Sequence, residues 1–168
     1  HVHLAMRCLH DAVLPDTSTE ILGIKLSMPV LAAPIGGVSF NMGQAPQNPV
    51  DEPAYAGSII EGSKRSGIIG CGGDGVGALI PESVFAAIRR ANGWGIPFIK
   101  PWEGDFLWQR LESACSTGCS IVGMDVDAAG LITLRLQGRP VAPKKPSELA
   151  EIANFVHRHN AKFLVKGI

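Results

Sequence analysis

Two lysines and two aspartates stand where short apolar runs give way to glycine or polar residues: Pro97-Phe-Ile-Lys100, Ile121-Val-Gly-Met-Asp125-Val-Asp127 and Phe163-Leu-Val-Lys166. Such charges make poor core residues, because an unpaired charge is costly to bury. An ammonium fixed at the edge of a pocket stabilises negative charge that develops there during a reaction. The plainer reading is a buried salt bridge from Lys100 to Asp125 or Asp127, since ion-pair networks also occupy strand ends. Trp102, just past Lys100, is either a pocket wall or a packing residue, because aromatic rings serve both purposes. Trp94 and Trp108 read as packing residues, and the basic stretch from Arg135 to Lys145, with Arg139 and Lys144, as a solvated loop.

Two further strand ends carry main chain in place of charge. Val30-Leu-Ala-Ala33 is a short apolar run between Pro29 and Pro34, which predicts a strand buried on both faces. Pro34 cannot donate to a ladder, so the strand is expected to stop there. Ile35, Gly36 and Gly37 follow, and the glycines let backbone lie close against something flat or negatively charged. Ile68-Ile-Gly-Cys71 likewise empties into Gly72, Gly73, Asp74, Gly75 and Gly77.

The elements that must position these residues alternate regularly. Thr19-Glu-Ile21 and Ile24-Lys-Leu26, turning at Gly23, predict a small hairpin ahead of the first long strand. A helix beginning near Pro53 has Ala56, Ile59, Ile60 and Ser63 on its inner stripe and ends at Gly67. Pro81 opens a second, with Val84, Phe85 and Ile88 inward, closed by Asn92-Gly93. Leu107, Leu111, Ala114 and Cys115 mark a third, closed by Gly118, and Pro146 starts a fourth with Leu149, Ile152, Ala153 and Val156 inward. Strand, loop and helix in repetition mean parallel βαβ units. A doubly wound nucleotide binder should carry G-x-G-x-x-G after its first strand, and Gly36-Gly37-Val-Ser does not match. Polar or glycine residues at every strand end are instead how barrel active sites are built. The expected fold is therefore α/β, a partial (β/α)8 barrel of about four βα units plus a fifth strand. Residues 1–27 form its β lead-in and 28–168 its first part; five strands do not close it.

The 168 residues include fifteen basic and fifteen acidic side chains, which cancel. With few aromatics and none interleaved with basic runs, neither nucleic acid nor an anionic membrane is an expected partner. No apolar run reaches the length of a membrane span and no signal peptide is recognisable, so a cytoplasmic protein with free thiols is expected. No metal site is expected: Cys115 and Cys119 are four apart, without a His or Cys pair beside them. His1, His3 and His10 read as solvated residues of a frayed start.

Several of these motifs together resemble the FMN-dependent α-hydroxy-acid oxidase/dehydrogenase family, which includes glycolate oxidase, lactate oxidase and flavocytochrome-type lactate dehydrogenases. The resemblance is carried by Ser27-Met-Pro-Val-Leu-Ala-Ala-Pro34, Gly67-Ile-Ile-Gly70, Gly123-Met-Asp-Val-Asp127 and Leu164-Val-Lys-Gly-Ile168, with the lead-in Thr17-Ser-Thr-Glu-Ile-Leu-Gly-Ile-Lys25. It implies FMN across the barrel mouth, with Pro34, Ile35 and Gly36 holding the ring edge by backbone contacts. Gly72 stands at a family serine beside the ring, Lys100 at a family glutamine, and Asp125 at a family threonine. Lys166 matches the lysine beside flavin N1, and Asp127 the aspartate that orients a catalytic histidine. Lys166, Asp127 and Trp102 are thus the implied catalytic residues.

The chain departs from the family at Trp102, which replaces a substrate-side tyrosine, and at Asp74, which aligns with a strand-two aromatic. The family's histidine base and carboxylate-binding arginine belong to later strands. The implied function is oxidation of a small 2-hydroxy acid or similar organic acid, with hydride or electrons passing to FMN. A small-molecule substrate, a homo-oligomer at full length and inactivity of this segment alone are expected with it. The alternatives are a barrel like the flavin-dependent isopentenyl-diphosphate isomerases and a non-catalytic half-barrel scaffold.

Overall fold

The computed structural model describes residues 14–38, 50–138 and 141–168. The histidines at the start, Cys8, Arg139 and most of the loop after Val38 lie outside them.

The hairpin forms as its sequence predicts. Strand β1 (Thr19–Ile21) pairs antiparallel with β2 (Ile24–Leu26). Its turn has Leu22 at φ 50° and Gly23 at φ 87°, the left-handed pair that matches the twist of a tight hairpin.

The remaining strands are β3 (Leu31–Ile35), β4 (Ile69–Gly72), β5 (Ile96–Ile99), β6 (Ile121–Asp125) and β7 (Lys162–Lys166). They form one parallel sheet in the order β3-β4-β5-β6-β7. Between them run α1 (Glu52–Arg65), α2 (Leu79–Arg90), α3 (Asp105–Cys115), the short α4 (Ile132–Leu136) and α5 (Pro146–Arg158). A strand order that never reverses is that of a barrel, not of a doubly wound sheet.

Local chemistry accounts for the helix ends. Asp51 caps α1 by accepting from the Ala54 N–H at 2.8 Å, and Pro53 occupies the first turn. Gly67, at φ 67°, turns the chain so that the Ile68 N–H donates to the Ser63 carbonyl at 3.0 Å. At the start of α5 the Lys145 N–H donates to Glu148 at 2.8 Å.

The two faces of the sheet carry different loads. One packs against the helices: Ile60, Val84, Ile88, Leu111, Ile152 and Val156 meet the strand residues Ile99, Val122 and Met124 in one buried cluster. The other buries Ile69, Cys71, Ile96, Phe98 and Ile121 with Leu26 of the hairpin, which covers its amino-terminal end. Lys162 of β7 ties the hairpin down by donating to the Leu22 carbonyl at 2.9 Å. The architecture is a partial (β/α)8 barrel with helices outside and the hairpin below.

Three expectations are corrected. β3 is not buried on both faces, since Leu31 and Ile35 are 40% and 44% exposed. It also runs through Pro34 rather than ending there. Among the described residues β3 pairs on one side only, with a register irregularity between Ala32 and Ile35, and an edge with a bulge tolerates proline. A 3-10 turn (Val126–Gly130) leads into α4, so the basic stretch from Arg135, expected as a loop, begins in a helix.

Cys71, Cys115 and Cys119 are buried and free. Burial pushes the thiols of Cys71 and Cys115 up to about 12 and raises that of Cys119. The thiolate is the reactive form, so these three cysteines should resist iodoacetamide at pH 8 in the folded protein and alkylate promptly in urea. Mass spectrometry of peptides quenched at intervals checks this, and rapid native labelling of Cys71 would contradict the packing.

Candidate active site

Side chains alternate along a strand, so every second residue faces the inside of the barrel. On β5, β6 and β7 the inward set is Ile96, Phe98 and Lys100; Ile121, Gly123 and Asp125; and Lys162, Leu164 and Lys166. Register aligns them in rows: Phe98 lies opposite Gly123, Gly123 opposite Leu164, and Asp125 opposite Lys166. Gly123 makes room for its neighbour, because a Cβ there would sit 2.6 Å from the Phe98 ring. Above that apolar row the strand ends present Lys100, Asp125 and Lys166 side by side.

These charges pair in series. Lys100 Nζ is 3.7 Å from Asp125 Oδ2, and Lys166 Nζ is 2.5 Å from Asp125 Oδ1 and 3.3 Å from Asp127 Oδ1. Gly167 allows the last contact: it has φ 90°, and a Cβ there would lie 2.5 Å from the Asp127 carboxyl carbon. The bond to Asp125, and next that to Asp127, raises the Lys166 ammonium above its ordinary value. Hydrogen bonding with Asp125, and then with Lys166, holds the Asp127 carboxyl below its own.

A cleft of about 450 Å³ opens beside this row. Its walls are Pro34–Gly37 and Gly73–Gly77, its floor includes Phe98, and Lys100 and Asp125 line it. Ile80, Leu131, Leu134 and Gln137 close the remaining side. Glu52 steadies the first wall by accepting from the Gly37 N–H at 3.2 Å, and the Gly73 N–H joins the two walls by donating to the Ile35 carbonyl at 3.3 Å.

The expected site residues fall into three groups. Pro34, Ile35, Gly36, Lys100 and Asp125 line the cleft, while Lys166 and Asp127 stand behind Asp125, off its lining. Gly72 does not face the cleft. A Cβ there would collide with Val84 of α2, so the position points into the helical layer and its neighbour Gly73 supplies the wall. Trp102 is wholly buried, meets Phe106 edge to face at 5.3 Å, and presents nothing to a substrate.

What Trp102 does is hold Asp74, which sequence reasoning had set aside. The buried Asp74 carboxylate accepts from Trp102 Nε1 at 2.6 Å, the Gly75 N–H at 2.7 Å and the Lys100 N–H at 3.2 Å, with Arg110 Nε at 3.7 Å. Burial pushes its carboxyl up, against the pull of Trp102, Arg110 and the two main-chain donors. One side chain thereby fixes the ends of β4 and β5 and the start of Lys100. The signal available in the sequence was an acidic residue among glycines, paired with a tryptophan two residues past a strand-end lysine.

Asp74→Ala should lower stability by about 3 kcal/mol or more, because buried donors lose their acceptor. Urea unfolding followed by tryptophan fluorescence checks this, and a cost below 1 kcal/mol would contradict the role. For Asp127 the sign follows from a lowered folded-state pKa: its contribution is complete above 3.8 and fades as the pH falls through the lower folded value. Asp127→Asn should therefore cost about 0.5 kcal/mol at pH 7, as for exposed ion pairs, and progressively less below pH 3.8. An equal cost at both pH values would show that the contact is not electrostatic.

The residues lining the cleft suit a flat cofactor ring. The volume lies in the range of small-molecule sites, two walls are main chain, and the space at Gly77 is open to a Cβ. Comparison with known proteins gives the fold and the family. The family model described as FMN-dependent dehydrogenase matches residues 1–132. A solved structure of an Arg-to-Leu variant of mandelate oxidase with 2-hydroxy-phenylacetamide superposes with a TM-score of 0.61 at 17% identity, covering 96% of this chain and 48% of that one. A monotopic membrane protein, (S)-mandelate dehydrogenase, gives a TM-score of 0.51 at 13% identity, with coverages of 91% and 38%. The chain thus spans about half of the former and less of the latter. No curated protein sequence matches it. The family match takes in the hairpin, four strands of the sheet and both glycine walls of the cleft, and by it the chain belongs to the FMN-dependent dehydrogenase family.

Proposed function

We propose that the protein is an FMN-dependent oxidoreductase acting on a small 2-hydroxy acid or similar organic acid. The observation that carries this reading is the row of Lys100, Asp125 and Lys166 at the strand ends beside a glycine-walled cleft. When bound, FMN accepts the two electrons of the substrate as a hydride equivalent and passes them to an acceptor.

The main chain of Pro34–Gly37 and Gly73–Gly77 offers close, glycine-rich walls for the ring. Lys100 and Asp125 give the cleft its polar edge, and Phe98 an apolar floor. Lys166 acts at this edge from behind Asp125, where an ammonium favours negative charge arriving in the cleft. Asp127 holds that ammonium from its outer side. A diphosphate substrate asks for cations free to take phosphate oxygens, and the pairing of Lys100 with Asp125 speaks against it. Among the described residues no helix is long and apolar enough to cross a membrane.

Absorbance of the full-length protein after incubation with FMN, followed by anaerobic mixing with aliphatic and aromatic 2-hydroxy acids, tests the reading. Uptake of flavin and bleaching of its visible band by members of the panel are expected. Absence of uptake, or no bleaching by any of them, would refute it. Lys166→Met should slow flavin reduction in stopped flow far more than it weakens substrate binding. The expected loss of transition-state stabilisation is on the order of 2–4 kcal/mol, as for the removal of an oxyanion donor. An unchanged reduction rate would remove Lys166 from the chemistry.

A further inference from the structure

The charged row is one connected chain and not a set of separate pairs. Lys100 touches Asp125, Asp125 touches Lys166, and Lys166 touches Asp127, so two positive and two negative groups balance. Exposure rises along the chain: the side chains of Lys100 and Asp125 are 14% and 19% exposed, those of Lys166 and Asp127 41% and 54%. The least screened part is therefore the part that lines the cleft. The other charged group on the lining, Asp74, is matched by Arg110 and fully engaged by donors of its own. Asp125 alone in the row touches both lysines.

We propose that Asp125 sets how strongly the cleft favours negative charge, by sharing one carboxylate between Lys100 and Lys166. The inference rests on the reading of the cleft as the FMN site. With Asp125 in place the row is neutral, and its carboxylate offsets part of the help that the two ammoniums give the reduced, more negative state of a bound flavin. Removing the charge of Asp125 leaves the row at +1 and favours the reduced state. Removing the charge of Lys100 leaves it at −1 and disfavours that state. Lys100 is thus a counter-charge as well as a wall residue, because without it Asp125 would act on Lys166 undivided.

A purely structural strut between β5, β6 and β7 predicts something else: loss of either partner loosens the same three strand ends and moves the bound flavin in the same sense. The test is the midpoint potential of FMN in the intact protein, read by equilibration with redox dyes, for Asp125→Asn, Lys100→Gln and the double variant. Asp125→Asn should raise the affinity for reduced relative to oxidised flavin about tenfold, a shift of about +30 mV for a two-electron couple. Lys100→Gln should lower that ratio by a similar factor, and the double variant, neutral again, should return close to the unmodified value. Should Asp125→Asn fail to fold, Lys100→Gln and the double variant still carry different expectations, a lowered ratio and an unmodified one. Shifts of the same sign, no shift, or a double variant that does not return would overturn the proposal. Failure of the unmodified protein to take up FMN would overturn the proposed function and this inference together, whereas uptake with unshifted potentials would overturn this inference alone.

Discussion

Three adjacent parallel strands end in register, and that register forces three charged side chains into one row. A residue slip of one on any strand would send its charge into the helical layer, among Val122, Met124 and Ile99, where no partner awaits it. Only the alternation Lys100, Asp125, Lys166 makes the row tolerable. Three like charges at that spacing would repel, and a single charge would sit unpaired on the Phe98 layer. The carboxylate is in the middle, where it can face both neighbours. This constraint ties function to fold directly: the residues best placed to influence a ligand also help fix the register of β5, β6 and β7.

The row would still drift if the strand ends were free, and Asp74 prevents that. Its carboxylate gathers donors from the loop after β4, the end of β5 and α3. Those bonds offset part of the desolvation cost of enclosing it, and burial still leaves its carboxyl raised. Asp74 acts as a fastening between strand ends, and Trp102 is drawn to it. The indole turns its N–H to Asp74 and its ring to Phe106, away from the cleft. Lys100 and Asp125, which stand where the family resemblance expects a glutamine and a threonine, also touch each other. The two positions thus form one ion pair where the resemblance implies a neutral pair.

Much of this was legible in the sequence, and the failures have a common cause. Hairpin, helices and strand order follow from local rules: a left-handed turn at Gly23, apolar stripes at helical spacing, and prolines in first turns. The inward aim of Lys100 and Lys166 follows from their place directly after apolar strands. Gly72 came from the family resemblance alone, which does not say which face of the strand a residue takes, and in β4 its Cβ direction meets Val84. Pro34 and the burial of β3 failed because an apolar run does not say whether a strand has neighbours on both sides. Trp102 and Asp74 are far apart in sequence, and only their contact across the β4 and β5 ends assigns either of them.

The glycines of the cleft show how packing can prepare a binding surface without being selected for contact with a ligand. Gly36 and Gly73 face each other across β3 and β4, and a Cβ on Gly73 would lie 2.7 Å from the Gly36 nitrogen. A Cβ on Gly36 would in turn press on Ile80 at 2.7 Å and on the Gly73 carbonyl carbon at 3.2 Å. Neither position tolerates a side chain, whatever occupies the cleft. Their closeness lets the Gly73 N–H reach the Ile35 carbonyl and continue the ladder past the strand ends. The smooth wall is therefore a consequence of strand pairing carried one residue past the end of β4. Gly77, where a Cβ would meet nothing within 4 Å, is the exception. Since packing does not demand glycine there, it is the wall glycine whose choice is left for a ligand to explain.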